Sequence, residues 1–234
     1  MDAIAERIEA VREQMALAAQ RAGRKASDVR LMAVTKFVPP ERIALAADAG
    51  IRLVGENRAQ EFREKLTFYK QRNLEAHFIG QLQTNKVKYI CGNADLVQSV
   101  DRDELLRAIS DRAVGLGIVQ PILLQVNIGN EPQKGGIPVE SLDAFAMAAA
   151  AAKGVALRGL MCVPPAGDPE SARPYFRRMR GLFERLQSVS PQADVLSMGM
   201  SHDFPIAIEE GATLVRVGTS IFGARTKPGG EQNG

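Results

Sequence analysis

Lys36 closes a short apolar run, Leu31-Met32-Ala33-Val34-Thr35-Lys36, and Arg216-Val217-Gly218-Thr219 lies near the far end of the 234-residue chain. An amine at the end of a strand is a nucleophile for carbonyl groups, and more so where a neighbouring cation and a dry site weaken its hold on the proton. Small residues and hydroxyls at Ser197-Met198-Gly199-Met200-Ser201 and Gly218-Thr219-Ser220 let backbone N–H groups approach an anion. A lysine facing such a cradle across one cavity suits a phosphorylated aldehyde held as a Schiff base. Each motif also has a plain reading. Lys36 sits beside Pro39 and Pro40 as a loop lysine would, and Ser201 and Ser220 suit simple helix caps.

Positioning these groups together requires a particular scaffold. Ile4, Ile8, Val11, Met15 and Ala18 recur at helical spacing, so an amphipathic helix opens the chain. Thereafter the patterning predicts strands over 30–36, 52–57, 76–80, 96–100, 121–127, 156–163, 195–199 and 214–218. Helices are expected between them, among them 58–72, a short one over 85–90 and an alanine-rich one from Ser141. Asp101 and Glu104 have capping-box spacing before a helix whose apolar face is Leu106, Ile109, Ala113 and Leu116. Phe176, Met179, Phe183 and Leu186 form another apolar stripe. Eight strand–helix units favour a parallel sheet closed into a single (β/α)8 TIM-type barrel with an extra N-terminal helix. An open doubly wound sheet is disfavoured because no glycine-rich dinucleotide fingerprint follows the first strand. One domain is expected over 1–225, with 226–234 a disordered tail.

The totals exclude several classes. A net charge of +3 and interspersed acids leave no basic stripe for nucleic acid. Arg173, Arg177, Arg178, Arg180 and Arg185 share one predicted helix with Glu170 and Glu184 at hand, which reads as a solvated face. Cys91 and Cys162 are far apart without CxxC spacing, so neither a structural metal nor a disulfide framework is indicated. No secretory signal or membrane-spanning run is apparent, and the chain is expected to be cytoplasmic.

Strand side chains alternate in direction, so Lys36, Val34 and Met32 share the inner face of the first strand, as Leu214, Arg216 and Gly218 do on the last. Asn57, ending the second strand, is placed beside Lys36 at the mouth. His77 is expected to be a packed, hydrogen-bonded histidine rather than a base, and Met161, Met198 and Met200 to be core. His202 is expected in the first turn of a helix, and Tyr69, Tyr89 and Tyr175 on helices away from strand ends.

At longer range the motifs are joint and ordered. Ala33-Val34-Thr35-Lys36, Gly55-Glu56-Asn57, the segment from His77 to Lys86, Arg158-Gly159-Leu160-Met161, Leu196 to Ser201 and Val215 to Gly223 together resemble the pyridoxal phosphate homeostasis protein family. Members are similar to the barrel domain of alanine racemase standing alone. The resemblance implies that Lys36 forms the internal aldimine with pyridoxal 5′-phosphate (PLP). It also implies that Ser201, Gly218 and Thr219 hold the phosphate, that Arg216 approaches the pyridine nitrogen, and that Asn57 lines the pocket. Gln81 and His202 depart from the family pattern at the rim. The segment 129–138 keeps a Lys134-x-Gly136 pattern.

The implied role is a buffer or carrier of PLP in vitamin B6 and amino-acid homeostasis, delivering the cofactor to apoenzymes by transimination at Lys36. The alternative is an amino-acid racemase or related PLP-dependent enzyme. An arginine at the pyridine nitrogen weakens the ring as an electron sink, which argues against that alternative. So does the chain's end about fifteen residues after Thr219, too soon for a further domain carrying a second acid–base residue. A Schiff-base aldolase would carry its lysine on a later strand, and an interaction module signalling cofactor status would keep the same pocket. Without the racemase's second domain, a monomer is expected.

Overall fold

The computed structural model describes residues 3–131 and 133–223. Its strands are β1 (Arg30–Val34), β2 (Leu53–Glu56), β3 (Glu75–Phe78), β4 (Leu96–Val100), β5 (Gln120–Val126), β6 (Val155–Cys162), β7 (Val195–Ser197) and β8 (Leu214–Val217). Each pairs in parallel with its sequence neighbours, and β1 pairs with β8, closing the barrel. Helices α1 (Ala3–Arg21), α2 (Pro40–Asp48), α3 (Ala59–Gln71), α4 (Val87–Ile90), α5 (Asp103–Leu116), α6 (Leu142–Ala151), α7 (Arg173–Val189), α8 (Phe204–Glu209) and α9 (Thr219–Phe222) lie around it. The sequence patterning thus gives the right elements in the right order. Most strands are one or two residues shorter than the apolar runs, because side-chain alternation persists after the ladder ends. The tail expected over 226–234 lies outside the described residues.

Two apolar regions hold the barrel. The larger lies between strands and helices, where α7 buries Phe176, Met179, Leu182, Phe183 and Leu186. The smaller fills the interior, with Met32, Leu53 and Leu214 in one group and Leu96, Leu123 and Met161 in another. A bulge between β5 and β6 lets Gly159, at φ +146°, pass so close to β7 that a Cβ would sit 1.8 Å from Val195 O. Only glycine fits there. The opening helix packs its apolar stripe on α8, α9 and α2, covering the barrel where β8 meets β1.

Some expectations fail for local reasons. The capping box at Asp101 does not form: Arg102 is the residue before α5 and has no side-chain cap, while Asp101 accepts from Arg102 Nη1 at 2.6 Å. Leu116 is exposed at the end of α5, and Leu105 takes its place in the buried face. Met161 and Met198 are core, but Met200 is exposed, because the chain turns away from the barrel after β7. The arginine-rich face is solvated and ion-paired: Arg173 meets Glu170, Glu209 and Glu210, Arg177 meets Glu210, Arg180 meets Glu184, and Arg185 meets Asp143. Among the described residues no helix is long and apolar enough to cross a membrane.

At the base of the interior, His77 is 1% exposed, and its Nε2 lies 2.7 Å from Glu75 Oε1. Burial lowers the imidazole's proton affinity, against opposition from Glu75, while Arg30 adds to the lowering and Asp95 resists it. Glu75 is held at about 2, chiefly by His77 and by Arg30. Both groups therefore bind fewer protons folded than unfolded. Stability is expected to fall as pH drops below about 6.5, where the unfolded histidine charges, and again from 4.5 towards about 2, where the unfolded carboxylate is neutral. Urea unfolding midpoints at pH 7.5 and 5.5 check the first step, and His77→Gln is expected to flatten that slope.

Candidate functional site

The C-terminal ends of the strands gather the residues singled out from the sequence. Lys36 lies two residues beyond β1, half-buried, and continued alternation from the inward-facing Met32 and the outward-facing Thr35 puts it on the mouth side. Asn57 follows β2, and its Oδ1 is buried with no hydrogen-bond partner. The β3 end comes close enough that a Cβ on Gly80 would lie 2.0 Å from Asn57 O, so glycine there keeps the mouth narrow. Across the β1–β8 seam, Ser201 Oγ accepts from the N–H of Gly218 at 3.2 Å and of Ser220 at 3.4 Å. Thr219 is exposed as the first residue of α9. Neither serine caps its own helix, since Asp203 and Gly218 stand at those positions; Ser201 instead accepts from the start of α9 and so joins the two segments expected to form an anion cradle.

Gly218 adopts φ −116°, which any residue can take, and a Cβ there would make only ordinary contacts, the nearest 3.5 Å from Val34. Neither conformation nor packing explains its glycine. The missing side chain leaves the edge between β8 and α9 open towards Val34.

Arg216 is 4% exposed inside the barrel. Nη1 donates to Ser197 Oγ at 2.6 Å and Nη2 to Cys162 O at 2.8 Å. Burial lowers its proton affinity while Cys162 and Asp203 resist that, and a guanidinium stays charged regardless. No carboxylate among the described residues bonds to it directly. The same burial pushes the Cys162 thiol up to about 12.

Behind Lys36, on the outer side of the strands, stands a cluster that the sequence reading missed. Glu56 is fully buried, and its Oε1 accepts from Thr35 Oγ1 at 2.7 Å, Lys65 Nζ at 2.8 Å and Tyr69 OH at 2.7 Å. Lys65 also donates to Thr35 O at 2.8 Å, and Glu61 accepts from the Phe37 N–H at 2.8 Å. The backbone is therefore gripped on both sides of Lys36 by side chains of one helix turn of α3. Phe37 sits at φ +61°, a strained value for a non-glycine residue, held by Glu61 and by Arg58 stacked 4.5 Å above its ring. Tyr69 lies on a helix as expected, yet its hydroxyl does reach a strand end, from outside the barrel. Burial and the Glu56 charge keep that phenol protonated.

A groove of about 450 Å³ runs outward from Asn57, lined by Arg58, Arg63, Gln81, Lys86 and Tyr89. Gln81 is exposed at this rim. His202 is exposed in the turn before α8, not in its first helical turn, because that helix begins only at Phe204. On the far side of the mouth, Asn127 folds the β5–α6 loop by bonding Glu131 and Lys134, and Lys134 Nζ donates to Pro164 O at 2.9 Å.

The alanine racemase N-terminal domain model matches residues 7–226. A protein of Aquifex aeolicus named pyridoxal phosphate homeostasis protein is 46% identical over 222 residues, covering 94% of this chain and 97% of its own. One of the same name from Escherichia coli K12 is 39% identical over 230 residues, covering 96% and 98%. The structure of PipY from Synechococcus elongatus with PLP bound superposes with a TM-score of 0.81 at 34% identity, covering 94% of this chain and all of that one. By length and continuity of match, the chain belongs to the alanine racemase N-terminal domain family, among relatives that it covers almost end to end.

Proposed function

We propose that this chain binds PLP at the barrel mouth, with Lys36 as its covalent anchor, and buffers or hands on the cofactor in vitamin B6 homeostasis. The observation that carries the reading is the two-sided grip on Lys36 at the end of β1, the strand that pairs with β8 beside the Ser201–Gly218 edge. It is supported by relatives named for PLP homeostasis and by the PLP-bound PipY structure.

The donor set fits the group. PLP supplies an aldehyde that condenses reversibly with primary amines, and a phosphate dianion. Lys36 provides the amine. Ser201, Gly218 and Thr219 provide hydroxyl and backbone donors for the phosphate at the edge that the missing Gly218 side chain leaves open. Arg216 would present a positive charge from within the barrel, which would disfavour protonation of a pyridine nitrogen held there. Asn57, with its unpartnered carbonyl, lines the opposite wall. Such a site holds the aldehyde without building a strong electron sink, which suits storage and transfer better than turnover. In this reading the acceptors are PLP-dependent apoenzymes, whose amines would compete with that of Lys36 for the aldehyde, and the protein works as a cytoplasmic monomer.

Purified protein mixed with PLP is expected to turn yellow, and borohydride reduction followed by peptide mapping is expected to place the adduct on Lys36. Lys36→Ala should remain colourless, and a wild type that PLP cannot colour would sink the reading. Glu61→Ala, which frees the Phe37 N–H, is expected to weaken PLP binding about tenfold, the cost of one charge-assisted hydrogen bond, with little change in melting temperature. Lys65→Met removes the cation beside a buried carboxylate and is expected to destabilise the fold by about 3 kcal/mol in urea titration.

A further inference from the structure

Five polar side chains inside the barrel form one unbroken line from its exposed base to Arg216. Arg30 donates to Glu75 through Nη1 at 3.2 Å and Nη2 at 2.5 Å. Glu75 Oε1 lies 2.7 Å from His77 Nε2, and His77 Nδ1 lies 2.9 Å from Gln98 Nε2. Ser197 Oγ donates to Gln98 Oε1 at 2.7 Å, and Arg216 Nη1 donates to Ser197 Oγ at 2.6 Å. His77, Gln98 and Ser197 are each no more than 1% exposed. Glu75 and Arg30 are about two-fifths and half exposed, so the line opens to solvent at the end of the barrel opposite Lys36.

The chemistry of the groups fixes the sense of every bond. A carboxylate only accepts, so His77 Nε2 must carry the proton that faces Glu75. A neutral imidazole then has a bare Nδ1, which only the Gln98 amide NH2 can satisfy. That turns Gln98 Oε1 towards Ser197, whose hydroxyl proton is thereby committed to it. The remaining lone pairs of Ser197 face Arg216 and accept from it. Each donor along the line points towards Glu75, and the aligned dipoles present their negative ends to a guanidinium that bonds to no carboxylate among the described residues. Protonating His77 at Nδ1 would set two donors against each other. Gln98 would have to flip, and the Ser197 proton would lose its acceptor.

We propose that Glu75, His77, Gln98 and Ser197 are positioning residues for Arg216, relaying the charge of Glu75 along the barrel to set the guanidinium's orientation at the PLP site. The proposal rests on the reading of the mouth as a PLP site, though its first half concerns the ligand-free protein alone. It also gives a role to the polar interior, which a purely structural barrel would fill with aliphatic side chains. Burial keeps His77 neutral, as the relay requires, and Glu75, Arg30 and Asp95 are the charged groups that bear on it.

The chain has two histidines, so nitrogen-15 spectra of the imidazoles can be assigned by one substitution, His202→Gln. In ligand-free protein at pH 7, His77 is expected as the neutral tautomer protonated at Nε2. A charged ring, or a proton on Nδ1, overturns the relay. Adding PLP is expected to shift the His77 Nδ1 resonance. Ser197→Ala should still turn yellow, bind PLP about three- to thirtyfold more weakly, and abolish that shift, with Ser197→Thr restoring it. Glu75→Gln, at the solvent end and far from the ligand, is expected to weaken PLP binding as well and serves should Ser197→Ala fail to fold. A yellow wild type whose His77 resonance ignores PLP, or a Glu75→Gln protein with unchanged affinity, refutes the coupling and leaves the PLP reading intact. A wild type that takes no PLP on Lys36 overturns that reading and the coupling with it, while the tautomer still decides the line of bonds.

Discussion

A guanidinium enclosed by eight strands must find its partners among the side chains those strands turn inward. Arg216 meets this constraint with one hydroxyl and one backbone carbonyl, and the hydroxyl is committed in turn to Gln98 and His77. A buried charge left without such partners would cost several kcal/mol. The interior therefore divides by chemistry: apolar side chains such as Met32, Leu53, Leu123 and Met161 fill the space, and a polar line threads between them. Replacing any one member strands its neighbours, so the line behaves as a unit.

The same strands are organised on their outer side by a second buried charge. Glu56 points away from the barrel interior, towards α3, where Lys65, Tyr69 and Thr35 all donate to its Oε1 and leave the buried Oε2 without a partner. Its position beneath the β1 end converts a structural ion pair into a clamp for the loop that carries Lys36. Burying an ion pair often gains little stability over an apolar replacement. What this pair supplies is placement, since Lys65 holds the carbonyl before Lys36 and Glu61 holds the amide after it.

These two networks reach the mouth from opposite sides of one β-barrel wall. One fixes where the amine stands, and the other fixes the cation beneath the pocket. Between them the seam of β1 and β8 carries an open edge at Gly218, capped by Ser201. A site assembled this way has the amine and anion donors that an aldehyde phosphate needs, on rigid elements, and relatives named for PLP homeostasis match nearly the whole length of the chain. Four of the five arginines of α7, by contrast, are paired with carboxylates on α7 itself, α8 and neighbouring segments, and contribute to the shell.

The order of elements, the closed barrel and the positions of Lys36, Asn57, Ser201, Arg216 and Gly218 at strand ends were legible in the sequence, because period-two and period-3.6 patterns are local. So were the motifs that mark the family. The bonds that give those residues their setting were not. Gln98 and Ser197 are 99 positions apart, and Thr35 and Lys65 are 30 apart. Nothing in the spacing of either pair announces contact. Local signals also misled where tertiary structure outbid them: Asp101 pairs with Arg102 instead of capping α5, and Met200 turns outward after β7. Sequence determined which side chains face the inside of the barrel. Only closure of the sheet decided which of them touch, because β1 and β8 become neighbours through the fold and not through the chain.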